Sequence, residues 1–232
     1  MAAADVVLDH WAGRRRLRSV PVVDGLPRRC ASQEGNALAV ACRLGLADDD
    51  RARTLAHRLA DWQWPDGGWN CDRRPAARRS SFHETLPALW GLHEHAAATG
   101  DSTSAAAAAR AAELLLAHRV VLSLRTGRPL SAAVVQLHYP PYWYYDALQA
   151  LLVLTRAGFG ADPRTEVARD LVASRRGESG RWSADRRWWK RPGSAGSGVE
   201  AVDWREQGDV ESQLLTLNAL RVLAPRAGTS SP

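Results

Sequence analysis

Asp61-Trp-Gln-Trp-Pro-Asp-Gly-Gly-Trp-Asn-Cys-Asp72 closes a helical pattern that runs from Asp50 to Gln63. No helix crosses Pro65-Asp66-Gly67-Gly68, because proline lacks the amide that a helix needs and paired glycines favour a turn. Gln63, Gly67 and Trp69 stand at the spacing Q-x3-G-x-W, and Arg176, Gly180 and Trp182 repeat it with arginine for glutamine. A turn present twice indicates a repeat architecture, and a repeat decides the fold ahead of any local preference. Without its glutamine, the second copy reads as the weaker.

Working outward, four segments carry helical periodicity with small or apolar residues on most faces: 33–45, 81–98, 141–157 and 209–224. Such helices are buried all round. The middle two share a pattern, Glu84-x-Leu86-x-Ala88-Leu89-x-x-Leu92 and Asp146-x-Leu148-x-Ala150-Leu151-x-x-Leu154. Pro141 suits the first helical position of the third segment. Between them lie amphipathic, arginine-bearing segments at 4–12, 50–63, 105–122 and 164–176, with one stripe packed and the other in water. Inner-to-outer turns are short (46–49, 100–104, 158–163), whereas outer-to-inner loops are long (64–80, 125–140, 177–208). In an alternating array the long loops all emerge on one face, and loops of that length are usually functional.

The Q-x3-G-x-W turn resembles the QW repeat of the terpene cyclases and protein prenyltransferases, the squalene cyclase-like proteins. That resemblance implies an all-α fold: an α/α toroid, or partial toroid, of about four inner/outer helix hairpins. It also implies that the Gln bonds to backbone and the Trp covers a helix junction. Residues 1–225 are expected to form a single domain and 226–232 a flexible tail. The toroids of this family close with more hairpins. An open arc, a ring completed by a homodimer, and a portion of a longer ancestor all fit the count.

Composition narrows the classes. With 45% hydrophobic residues in 232, the chain can build a sizeable core, and no apolar run approaches a membrane span. Met1 to His10 carries neither a basic nor an apolar leader region, and three cysteines make no disulfide framework. A cytoplasmic protein is expected. The net charge of +6 rests on arginine, with Lys190 the only lysine, and no basic helix or reader motif accompanies it. Nucleic acid is not an expected partner.

The loop face gathers the residues with chemistry. All four tyrosines fall at 139, 142, 144 and 145, with Trp143 among them. Tyr142, Trp143 and Tyr145 either line a hydrophobic ligand, as aromatic faces that stabilise cations, or seal the helical array by packing. Acids open each inner helix, at Glu34, Glu84, Asp146 and Glu211. They either offset the helix dipole or converge on a cavity, with Glu84, Asp146 and His83 as candidate acid–base residues. Arg73, Arg74, Arg186 and Arg187 are either solvated or suited to a diphosphate. Cys30, Cys71, His83 and His138 lie at the same loop ends, a candidate zinc set against the reading of cysteine as a small core residue.

The toroid-like prenyltransferases and lanthipeptide cyclases hold zinc in this way, so the resemblance implies zinc, an isoprenoid or similar hydrophobic small molecule, and an enzyme. The Asp-x-Asp-Asp acid box of the alkene-protonating cyclases is missing. Ala47-Asp48-Asp49-Asp50 is its nearest text, and that sits in a short turn where acids cap the next helix. Two further readings follow: a non-catalytic small-molecule or protein binding module on the same scaffold, and a zinc-dependent toroid enzyme of another class.

Overall fold

The computed structural model describes residues 2–13, 20–141, 144–185, 190–196, 199 and 212–224. In chain order these form α1 (Ala2–Ala12), a hairpin of β1 (Val22–Val23) and β2 (Leu26–Pro27), α2 (Ala31–Arg43), α3 (Asp50–Asp61), α4 (Phe82–Thr99) and α5 (Ser102–Ala117). Then come α6 (Ala147–Arg156), a 3-10 turn (Pro163–Thr165), α7 (Glu166–Ser174) and α8 (Gln213–Leu223). The fold is mainly helical, and no described helix is long and apolar enough to cross a membrane. The chain divides into two compact units, Met1–Leu116 and Ala117–Pro232.

In the first unit α2 and α4 pack backbone to backbone. A Cβ on Gly35 would lie 2.4 Å from the Pro87 carbonyl oxygen, and one on Gly91 would lie 2.5 Å from the Gly35 carbonyl oxygen. Only glycine permits that approach. α4 is consequently buried on most faces, with Leu86, Ala88, Leu89 and Leu92 all in the core. α3 packs on both helices through Ala52, Leu55, Ala56 and Leu59, and α1 packs on α2 and α3. In the second unit α6 packs on α7 and α8, and α7 packs on α8.

The two units repeat one hydrogen-bond framework at a constant offset of 113 positions, as between 69 and 182. Asp49 caps α3 by accepting from the Arg51 amide at 2.8 Å, and Asp162 accepts from the Arg164 amide at 2.8 Å. The turn after α2 closes with Leu46 N to Ala41 O at 3.0 Å, and the turn after α6 with Phe159 N to Leu154 O at 2.8 Å. Gln63 Nε2 donates to the Gly67 carbonyl at 2.7 Å, and Arg176 Nε donates to the Gly180 carbonyl at 3.0 Å. The Trp69 indole donates to Leu59 O at 2.9 Å, and the Trp182 indole to Val172 O at 2.7 Å. Gly67 and Gly180 both take left-handed φ, 95° and 83°, which the turn requires.

Each Trp then clasps the next helix. The Trp69 amide donates to Thr85 Oγ1 at 3.3 Å and its carbonyl accepts from the Ser81 amide at 2.8 Å. The Trp182 amide donates to Thr216 Oγ1 at 3.0 Å and its carbonyl accepts from Ser212 at 3.0 Å. The second copy is therefore not the weaker in its packing. Both indoles are 1% exposed, and Arg176 takes over the bond that glutamine makes to the turn. What Arg176 lacks is the second bond of Gln63, from Nε2 to Ala107 O of α5 at 2.8 Å.

Several boundaries differ from the sequence reading. The helix expected over 141–157 starts at Ala147, not Pro141, because Asp146 caps it by accepting from the Gln149 amide at 2.8 Å. α5 ends at Ala117, and Arg119 and Val120 follow with φ of 44° and 67°, a conformation no helix passes through. The β1–β2 hairpin turns at Asp24-Gly25, with φ of 51° and 76°, a dipeptide suited to tight hairpin turns. Residues 209–211 and 225–232 lie outside the described residues.

Candidate metal centre

The first repeat brings two chain segments together beside its Trp turn. Arg28 and Asn70 form a parallel bridge, and the Arg29 amide donates to the Asn70 carbonyl at 3.1 Å. Cys30 and Cys71 follow these residues and therefore lie next to each other. Arginines pin the segment down. Arg28, 2% exposed, donates to Ala77 O at 2.6 Å and lies 4.7 Å over the Trp64 ring. Arg29 pairs with the buried Glu34 and lies 5.1 Å over Trp62. The Trp64 indole donates to Pro27 O at 2.7 Å.

Glu84 enters from the first turn of α4 and is buried. One carboxylate oxygen accepts from the Ser32 amide at 2.8 Å, which orients the group, and the other faces the Cys71 sulfur at 3.5 Å. The donor atoms of Cys30, Cys71 and Glu84 all lie within 4.8 Å of one another, and no other group of this kind is found among the described residues. Burial, and then the charge of Glu84, push the Cys71 thiol up to about 12. The third cysteine, Cys42, is buried in α2, where burial and then Glu94 raise its thiol to about 12.

The remaining sequence candidates have varied placements. His83 is half-buried beside Glu84 but is not one of the three clustered donors. His138 belongs to the second unit. Its Nδ1 lies 2.9 Å from Asp146 Oδ2, its amide donates to the same oxygen at 3.2 Å, and both side chains are buried. Asp146 thus ties the incoming loop to the start of α6. Tyr145 is 1% exposed and donates its hydroxyl to Val120 O at 2.5 Å; burial holds its phenol well above the usual value. Arg74 is engaged with Asp72 in a two-pronged pair, whereas Arg73 is exposed. Tyr142, Trp143, Arg186, Arg187 and Glu211 lie outside the described residues.

Sequence reasoning passed over Ser32, Arg28 and Arg29, and placed Glu84 among acid–base candidates instead of with the cysteines. The signal for the segment is the pair of arginines immediately before Cys30, matched to the tryptophans of the turn. The second repeat has no such donors at the corresponding positions: Ala184 stands 113 positions after Cys71, and Leu215 aligns with Glu84 by the clasp. The scaffold is duplicated and the donor set is not.

Two sulfurs and a carboxylate oxygen suit zinc, which takes Cys and Asp/Glu ligands and keeps an open position when only three protein groups bind it. Tetrahedral bonds of about 2.3 Å to sulfur and 2.0 Å to oxygen place such donors about 3.5–3.8 Å apart. The 3.5 Å between Cys71 and Glu84 already meets that spacing. No protein-family model, curated protein or solved structure matches the chain.

Proposed function

We propose that this chain is a zinc-binding α/α-hairpin repeat protein in which Cys30, Cys71 and Glu84 hold the metal and leave a position for a substrate. The observation that carries the reading is the restriction of the three donors to one of two otherwise matched repeats. The cap, turn and indole bonds of the frame recur in both copies, whereas this donor set does not, which supports a use for it beyond the frame. Glu84 is fixed by the Ser32 amide, and Cys30 and Cys71 by the Arg28–Asn70 bridge, so little reorganisation is needed to bind. Bound zinc would act there as a Lewis acid on a group occupying the open position.

The finer architecture belongs to the same proposal: an α/α toroid or an open arc of one, of the terpene cyclase and prenyltransferase kind. The resemblance of the Trp turn to that family supplies the substrate class, an isoprenoid or similar hydrophobic small molecule. Asp49 supports a chemistry other than alkene protonation. It caps α3 and pairs with Arg51 at 2.7 Å, which holds its carboxyl down at about 2.

Metal analysis of protein purified without chelators tests the reading. About one zinc per chain is expected, with sulfur and oxygen donors in its X-ray absorption spectrum, and both Cys71→Ser and Glu84→Gln are expected to lose most of it. Folded wild-type protein that neither contains nor takes up zinc would overturn it.

A further inference from the structure

We infer that Cys30 and Cys71 are a disulfide-forming pair, so that the site alternates between an open dithiol and a closed cross-link. The pair itself stands on geometry, while its consequence for metal rests on the zinc reading above. The two sulfurs lie within 4.8 Å of each other. Both cysteines are half-buried and therefore within reach of a small oxidant, whereas Cys42 is buried and outside the cluster. One pairing is thus favoured over the other combinations. The backbone before the pair is fastened by the Arg28–Asn70 bridge and the Arg29–Asn70 hydrogen bond, which keeps the two cysteines adjacent.

Hydrogen peroxide supplies the oxidising equivalents. One sulfur, as its thiolate, attacks the peroxide O–O bond and becomes a sulfenic acid, and the expelled hydroxide takes back from solvent the proton that the thiol had given up and leaves as a first water. The neighbouring thiol then attacks that sulfur and forms the S–S bond. The sulfenic hydroxyl leaves with the second thiol proton as another water. Two sulfurs are oxidised and the peroxide is reduced. A disulfide offers no thiolate ligands, so Glu84 would remain as the only donor of the set and zinc would be released.

Zinc-loaded full-length protein is treated with hydrogen peroxide, alkylated, digested and mapped by mass spectrometry, with released zinc read by a colorimetric chelator. The expected product joins the Cys30 and Cys71 peptides with loss of both thiol hydrogens, leaves Cys42 alkylated, and releases zinc in step with cross-linking. Reduction with a dithiol reagent should restore zinc uptake. The pair is also lost in Cys30→Ser, and retained in Cys42→Ala. Zinc-bearing protein whose cysteines oxidise separately, without the cross-link, would overturn the inference and leave the metal reading intact. A cross-link in protein that never binds zinc would uphold the pair and overturn the metal reading.

Discussion

Replacing Trp69 and Trp182 in turn by alanine asks whether the two repeats are built alike. Each indole is 1% exposed, fills the junction between its own turn and the following helix, and donates to a carbonyl ten residues earlier, Leu59 or Val172. Truncating a buried tryptophan costs about 3–5 kcal/mol, and the carbonyl left without a donor pushes the loss towards the upper end. Against a total stability of about 5–15 kcal/mol, either change removes a large share. In a chain of this size a loss of 3–5 kcal/mol lowers Tm by roughly 6–20 °C. Guanidinium unfolding followed by far-UV circular dichroism, with calorimetry alongside, measures both variants without relying on tryptophan emission. The two losses should agree within about 1 kcal/mol, since burial and anchoring are matched. A Trp182→Ala variant as stable as wild type would refute the equivalence, and with it the claim that Arg176 stands in for glutamine.

Gly35→Ala should destabilise by about 1–3 kcal/mol or more, because its methyl would meet backbone atoms of α4 that have no rotamer to yield; denaturant midpoints check this. His95 supplies a pH dependence. It is 1% exposed, its Nδ1 lies 2.9 Å from Ser104 Oγ, and burial holds its ring below the ordinary value, with Asp101 partly opposing. The unfolded chain therefore takes up a proton first as pH falls. The contribution is intact above about 6.5 and is lost as pH drops from there through the folded value. Denaturant midpoints between about pH 7.5 and 5.5 should fall less steeply for His95→Gln than for wild type.

The helical class and most helix positions were legible because apolar periodicity and the Pro-Asp-Gly-Gly break are local signals. The alternation of short and long connections was legible too. The full extent of the repeat was also written in the sequence, as Gly45-x3-Asp49-x-Arg51 against Gly158-x3-Asp162-x-Arg164, but the flanking residues diverge enough to hide it. Legibility ended at the donor set. His83 and Glu84 are consecutive, so their side chains leave α4 about 100° apart, and only the packing of α4 on α2 decides which meets Cys71. The glycine contacts between those helices are tertiary information. Tyr145 illustrates the same limit: an aromatic cluster reads alike whether it faces a ligand or a carbonyl such as that of Val120.

The clasp at each Trp has a consequence for how such a chain can change. Its two anchor points, the Trp backbone and the Ser–Thr pair of the next helix, are bonded alike in both repeats. Yet the stretch joining them grows from 12 positions (69 to 81) to 30 (182 to 212). Because the ends are fastened independently of what lies between, lengthening that stretch costs only about 0.8 kcal/mol of closure entropy. The repeat thus behaves as a frame with a replaceable insert, in which the stretch between the anchors can change in length and sequence while the anchors stay in place.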